Sequence, residues 1–203
     1  QWVNGKFGKA LAFNGTSDYL QVPDSPSLDI VDEITITAWI NFNQFKDQGI
    51  ISKSQEGAGD GNYFFTTGCG GAAWFTKARF GVISTAGHTC GPTSDVLKQG
   101  QWYHLAGAFD GKQLSLYVDG KLANVENRAG KITTSDWPVI IGSYAGLGYK
   151  ANAIIDELAI FSVALNEKDI NGIMNDGLEK GAGLSVSPKG KLATAWAEMK
   201  TQD

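Results

Sequence analysis

From Gln101 to Gly120 the chain reads QWYHLAGAFDGKQLSLYVDG, two apolar runs separated by Asp110-Gly111, with a second pair, Asp119-Gly120, closing the second run. An Asp-Gly pair between such runs signals a hairpin, because both central residues of a type I′ turn take positive φ. The stretch predicts one β-hairpin followed by another. Leu114, Leu116 and Val118 alternate with Ser115, Tyr117 and Asp119, which sets one face of that strand on a core and leaves the other polar. In the preceding run Trp102, His104, Ala106 and Ala108 share one parity and Tyr103, Leu105 and Phe109 the other. Neither face is clearly polar, as expected of a central strand.

The same alternation recurs along the chain. Lys9 to Phe13 and Tyr19 to Val22 flank Asn14-Gly15, a further hairpin signal. Glu33 to Phe42 is the cleanest strand, with Ile34, Ile36, Ala38, Ile40 and Phe42 on one face and Thr35, Thr37, Trp39 and Asn41 on the other. Trp39 on the polar face has two readings, packing beneath a neighbouring loop or a platform for a sugar ring, and the first is the commoner fate of Trp. Gly49 to Lys53, Tyr63 to Thr67, Trp74 to Ile83, Pro138 to Ser143 and Ala153 to Phe161 read as further strands, with Ser54 to Asn62 a Gly-rich loop and Tyr144 to Lys150 a loop with two aromatics. Gly68 to Ala73 and Ser84 to Gln99 read as longer excursions between strands.

After Leu165 the period changes. Asn166 can cap, Ile170, Ile173 and Met174 form an apolar stripe, and Gly177 can terminate, so one short helix is expected. Residues 1–180 are expected to form one domain and 181–203 a linker and tail, in which Lys191 to Met199 is ambiguous between strand and helix. The fold class expected is all-β.

Composition narrows the function classes. The chain has 203 residues, enough for one large core, and its 26 Gly, 6 Trp, 6 Tyr and 10 Phe suit short strands and tight turns. Net charge is −4 with 17 Lys and Arg scattered, so no basic face is expected for nucleic acid or anionic lipid. No apolar run is long enough to span a bilayer. The first residue is Gln1, which suggests a processed protein or a piece of a larger one. The two cysteines, Cys69 and Cys90, lie in Gly/Thr-rich surroundings without metal-ligand spacing. Either they pair or they are free thiols; a disulfide would close a loop of about 20 residues, add roughly 3 kcal/mol and point to a secreted or periplasmic setting.

Two carboxylates break apolar rows. Asp156 shares parity with Ile154, Leu158 and Ile160, and Asp18 with Leu20 and Val22. A buried carboxylate needs a cation or several N–H donors. If the first and last strands are neighbours the two acids can meet, and two like charges then call for a shared hard cation such as Ca²⁺, with carbonyls near Asn14 and Gly15 completing its shell. The alternative is that each acid accepts backbone hydrogen bonds at a strand end. Asp60 with Asn62 in the Gly-rich loop is a second candidate, for which a solvated loop is the plainer account.

FNGTSDYLQVPDSPSLDI, EITITAWINF, QWYHLAGAFDGKQLSLYVDGK and IIDELAIFSVALNEKDI, in this order, resemble the laminin-G-like, concanavalin-A-like domains of bacterial extracellular proteins, related in shape to pentraxins and legume lectins. The resemblance runs from about Gly8 to about Gly177. It implies a two-sheet antiparallel jelly roll and a structural Ca²⁺ held by Asp18, Asp156 and a carbonyl near Gly15. It also implies recognition of carbohydrate or protein on edge loops or the concave face. Glucanase relatives carry E-x-D-x-x-E on a strand, placing acids on one face. Here Glu167-Lys168-Asp169 matches half of it at a helix start, with Gly172 where the last Glu would be. Asp156 and Glu157 point to opposite faces; His104, in a core strand, is expected to be a hydrogen-bonded structural residue, His88, beside Cys90 in a loop, has ligand contact as the less common of its two readings, and neither Ser nor Cys has a recognisable nucleophile elbow or paired base.

The expectation is therefore a non-catalytic, calcium-stabilised recognition module. Trp74, Trp137, Tyr144 and Tyr149 are its candidate stacking rings for a glycan or surface protein. A structural or adhesion spacer within a larger surface protein is the alternative, and a glycoside hydrolase a distant third.

Overall fold

The computed structural model describes residues 1–54, 61–68, 71–144 and 148–181. Among these residues there are thirteen strands: β1 (Trp2–Asn4), β2 (Lys9–Asn14), β3 (Leu20–Val22), β4 (Ile34–Phe42), β5 (Gln48–Ser54), β6 (Gly61–Thr67), β7 (Ala78–Ser84), β8 (Gly87–His88), β9 (Trp102–Phe109), β10 (Gln113–Val118), β11 (Lys121–Asn127), β12 (Val139–Ile141) and β13 (Asn152–Phe161). One helix, α1 (Glu167–Gly181), follows them. The strands form a seven-stranded sheet, β1-β2-β13-β4-β9-β10-β11, and a six-stranded sheet, β3-β12-β5-β6-β7-β8. Adjacent strands run antiparallel, so the expected two-sheet jelly-roll sandwich is the fold.

Period two explains the layering. Ile34, Ile36, Ala38, Ile40 and Phe42 of β4 meet Tyr63 and Phe65 of β6 and Ala78, Phe80 and Val82 of β7 in one core between the sheets. Fully burying such side chains contributes about 1.5–3 kcal/mol each. A second cluster forms on the outer side of the seven-stranded sheet, where Leu165, Ile170, Ile173 and Leu178 cover Ala106, Ala159 and Phe161. The Thr35 hydroxyl fixes the approach to that helix, donating to the Val163 carbonyl at 2.7 Å and accepting the Leu165 N–H at 2.8 Å. Asn166 caps as expected, its Oδ1 accepting the Asp169 N–H at 3.1 Å. Gly177, at φ 74° and ψ 172°, is non-helical and stops the first helical segment, as expected, with a second short segment following it across a kink within α1.

Several expectations need correction. Only Gly111 of Asp110-Gly111 has positive φ, so that turn is not type I′; the Asp110 carboxylate instead accepts the Lys112 and Gln113 N–H groups at 2.9 and 2.7 Å. Asp119 and Gly120 both have positive φ, and there the type I′ turn is found, with Val118 opposite Lys121. Asn14-Gly15 does not close a hairpin, because β2 and β3 belong to different sheets. The Asn14 side chain accepts the Thr16, Ser17 and Asp18 N–H groups, turning the chain across the sandwich edge. The strand expected from Trp74 begins at Ala78, since Ala72–Trp74 is a 3-10 turn. Asn62 belongs to β6 and not to a loop.

Candidate functional site

The outer face of the six-stranded sheet follows from β6. Tyr63 and Phe65 point into the core, so Asn62, Phe64 and Thr66 point away from it. Register extends this face sideways: Thr66 lies opposite Gly49 on β5 and Arg79 on β7, while Phe64 lies opposite Ser52 and Gly81. Gly49 has no side chain for a steric reason, since a Cβ there would overlap the carbonyl of Ser143 and the Cβ of Tyr144. The Gly49 N–H also donates to the Tyr149 carbonyl at 2.9 Å, tying the aromatic loop to this face.

Rings line up across the face. His88 stacks on Phe64 with centroids 5.7 Å apart, Tyr144 lies 5.6 Å from Phe64 on its own contact, and Tyr149 lies 5.9 Å from Tyr144. Phe64 is a buried floor at 1% exposure, whereas Tyr144 and Tyr149 are half-buried and His88 is exposed. Beside them the Arg79 guanidinium sits 4.6 Å from the ring centre of half-buried Trp74. Three polar atoms near these rings are buried without a hydrogen-bond partner among the described residues: Thr66 Oγ1, Arg79 Nε and Ser143 Oγ.

Trp74, Tyr144 and Tyr149 thus come together on one face. Trp137 does not join them: it is 37% exposed on the segment before β12, two residues after Ser135, and makes no ring contact among the described residues. Asn62 is fully committed, its Nδ2 donating to the Thr133 carbonyl at 2.6 Å and its Oδ1 accepting from Ser135 Oγ at 2.6 Å. It braces the segment that holds Thr133 and Ser135. Asp60 and Cys69 lie outside the described residues; no described cysteine is a free thiol. Phe64, Thr66 and Arg79 were not singled out from the sequence, although ARFGV in β7 alternates a lone Arg with core residues and so carried the signal.

The two carboxylates do not meet, and Asp156 does not share a face with Leu158 and Ile160 as expected: a bulge between Asp156 and Ala159 shifts the parity, so those two residues enter the core while Asp156 stands on the outer side of its sheet. Asp18 accepts the Asn14 N–H at 3.1 Å, and Asn14 lies opposite Asn152. Asp156 stands four residues further along β13, about 13 Å at the strand rise. There its Oδ2 accepts the Phe7 N–H at 2.9 Å and its Oδ1 the Glu157 N–H at 2.8 Å. The Gly15 carbonyl accepts from Lys46 Nζ at 2.6 Å, so an ammonium occupies the place expected for the ion. Among the described residues no three His, Cys, Asp or Glu side chains are grouped to hold a metal. Asp18, Asp156 and Gly15 therefore do not fit one shared Ca²⁺: Asp18 accepts from the Asn14 N–H and the Ser17 hydroxyl, and Asp156 from the Phe7 and Glu157 N–H groups.

The family model for the concanavalin A-like lectin/glucanases superfamily matches residues 14–171. The chain belongs to that superfamily. No curated protein matches it. Solved structures similar to it include domain 4 of AbnA, a GH43 extracellular arabinanase from Geobacillus stearothermophilus, in complex with arabinotriose (20% identity, 86% of this chain and 80% of that one, TM-score 0.64). The binding domain of Paraclostridial Mosquitocidal Protein 1 is also similar (16% identity, 87% of this chain but 45% of that one, TM-score 0.66). So is the native heptameric SAP-like pentraxin from Limulus polyphemus (16% identity, 81% and 80% covered, TM-score 0.60). At these identities the likeness is one of fold.

The other sheet of this lectin/glucanase sandwich carries a second polar row on its outer side. Asp156, Trp39 and His104 stand side by side in register. Trp39 is packed, as expected, with Lys6 Nζ 4.2 Å above its ring and His104 5.4 Å away. His104 is completely buried, but its imidazole is not hydrogen-bonded as expected: neither ring nitrogen has a partner among the described residues. Burial alone pushes its pKa down from 6.5 to about 4. Glu157 turns away at φ 50° and accepts the Leu178 N–H at 2.5 Å, so both acids of the Asp156-Glu157 pair brace backbone. Among the described residues no helix is long and apolar enough to cross a membrane.

Proposed function

We propose that this chain is a non-catalytic recognition module that binds carbohydrate on the outer face of its six-stranded sheet. The observation that carries the reading is the run of rings His88, Phe64, Tyr144 and Tyr149, flanked by Trp74, on that one face. Rings with one apolar face and one solvent-reaching edge suit sugar stacking. A similar fold in domain 4 of an arabinanase, solved with arabinotriose, supports the ligand class. Asp156 and Glu157 are engaged with backbone N–H groups, which speaks against either as a general acid. An extracellular setting within a larger chain belongs to the same proposal, with a Cys69–Cys90 disulfide, and is supported by the similar domains of extracellular or toxin proteins.

A structural spacer is the second reading, favoured by the burial of Phe64 and Thr66 beneath the covering segments. A glycan array probed with and without chelator, together with product analysis after oligosaccharide incubation, tests all of this. Binding without cleavage is expected. Silence on every glycan favours the spacer, and cleavage products overturn the non-catalytic reading. Calcium keeps only a separate place here: signal lost on chelation would require an ion held otherwise than between Asp18 and Asp156.

A further inference from the structure

Among the described residues two cations are buried, and their surroundings differ. Lys53, fully buried, is met by Asp24 at 2.6 Å and Asp29 at 3.3 Å, and also donates to the Ser135 carbonyl. Arg79, 8% exposed, has no carboxylate within ion-pair distance among the described residues. Glu126 reaches it only as a longer-range field that opposes the effect of burial, and one oxygen of Glu126 already accepts from Thr89 Oγ1 at 2.8 Å. Burying a charge without a counter-charge is costly, and such sites are ordinarily paired. The Trp74 ring beneath the guanidinium compensates part of that cost. The remainder points outward, to whatever sits on the face.

Two further donors lie along the same row. Thr66, directly opposite Arg79 in register, has a hydroxyl that is buried and has no hydrogen-bond partner among the described residues. On the other side of Gly49, Ser143 does as well. A guanidinium with adjacent hydroxyls is an arrangement that receives an oxyanion, because planar N–H donors match its oxygens in charge and geometry. Aromatic rings beside it then receive the sugar that bears the oxyanion.

We infer that the glycan bound at this face is acidic, its carboxylate or sulfate oxygens held by Arg79 with Thr66 while its ring packs against Trp74. This rests on the carbohydrate reading above and adds the ligand's charge to it. The two anion sources share one chemistry and are separated by experiment.

Calorimetric titrations of the whole chain with a neutral xylo-oligosaccharide, an oligogalacturonate and a sulfated heparin oligosaccharide, at low and high salt, provide the test. One or both acidic ligands should bind at least about tenfold more tightly than the neutral one, with affinity falling as salt rises. Which of the two binds identifies the anion. In Arg79→Gln that preference should vanish, whereas Arg79→Lys should retain part of it. Should Arg79→Gln not fold, the salt dependence of the unmodified chain still decides. Neutral binding that equals or exceeds acidic binding, or an equal loss of both in Arg79→Gln, leaves the carbohydrate reading standing and overturns the acidic one. No binding in any arm overturns both.

Discussion

His104 makes the most quantitative prediction. Its imidazole is completely buried in β9 against Trp39, neither nitrogen is hydrogen-bonded to a described residue, and burial lowers its pKa from 6.5 to about 4. Between those values the unfolded chain binds a proton that the folded chain refuses, so stability falls as pH falls from 6.5 towards 4 and this contribution is flat outside that window. At pH 4.5 the two pKa values translate into a loss of about 2.5 kcal/mol relative to pH 7.5. The charged groups around this row are Asp119, which accepts the His104 backbone N–H at 2.9 Å, Asp156 opposite Trp39, and Lys6 above Trp39. Carboxylates titrate at low pH as well, so the comparison is with His104→Phe, which keeps a ring beside Trp39 and removes the proton site. Urea denaturation followed by Trp fluorescence should give the two proteins similar midpoints at pH 7.5. At pH 4.5 the parent's midpoint should fall below the variant's by roughly 1 M, taking an m-value of about 2 kcal/mol/M. Parallel loss in both proteins would refute the reasoning.

Three other changes follow from named contacts. Asp156→Ala removes the acceptor for the Phe7 and Glu157 N–H groups and should cost about 2–4 kcal/mol; the loss should persist in EDTA, and coincident melting of parent and variant in chelator would contradict it. Lys53→Met deletes the ammonium between Asp24 and Asp29; because both acids are about one-third exposed and can rehydrate, the cost should be about 1–3 kcal/mol, below that of a fully buried pair. Thermal melts at neutral pH measure it, and an unchanged melting temperature would be wrong for this account. Gly49→Ala pushes on Ser143 and Tyr144; it should lower stability by about 1–3 kcal/mol and weaken glycan binding, which calorimetry on the folded variant reads separately.

Much of the sandwich was legible in period two. The β4 parity placed Ile34, Ile36, Ala38, Ile40 and Phe42 correctly in the core, because one buried face forces that alternation. Turn chemistry was legible less completely. Asp119-Gly120 forms the type I′ turn that Asp110-Gly111 announced equally well; the difference lies in the Asp110 side chain, which captures two N–H groups of its own loop. The acids illustrate what sequence withholds. β2 and β13 are indeed neighbours, but register sets Asp156 four residues beyond Asn152, the residue opposite Asn14, while Asp18 stays beside Asn14. Parity says which face a residue takes only until a bulge intervenes, as it does after Asp156, and says nothing about position along the partner strand.

The rings divide in the same way. Trp74, Tyr144 and Tyr149 were legible as loop aromatics, and the structure assembles them around a floor that no local pattern announces. Phe64 looked like one more core residue; only the pairing of β6 with β5 and β7 shows that it faces outward. Arg79 gains its meaning from the lack of a carboxylate within ion-pair distance among the described residues, which is a property of the assembled sheet.

The most direct measurement of the central claim is an NMR titration of the ¹⁵N-labelled chain with the tightest-binding oligosaccharide. The account predicts shifts concentrated at Phe64, Thr66, Arg79, His88, Tyr144 and Tyr149, with the amides of β13 and α1 unmoved. Saturable shifts centred instead on the helix-covered face or on the Asn14 to Asp18 turn would contradict it.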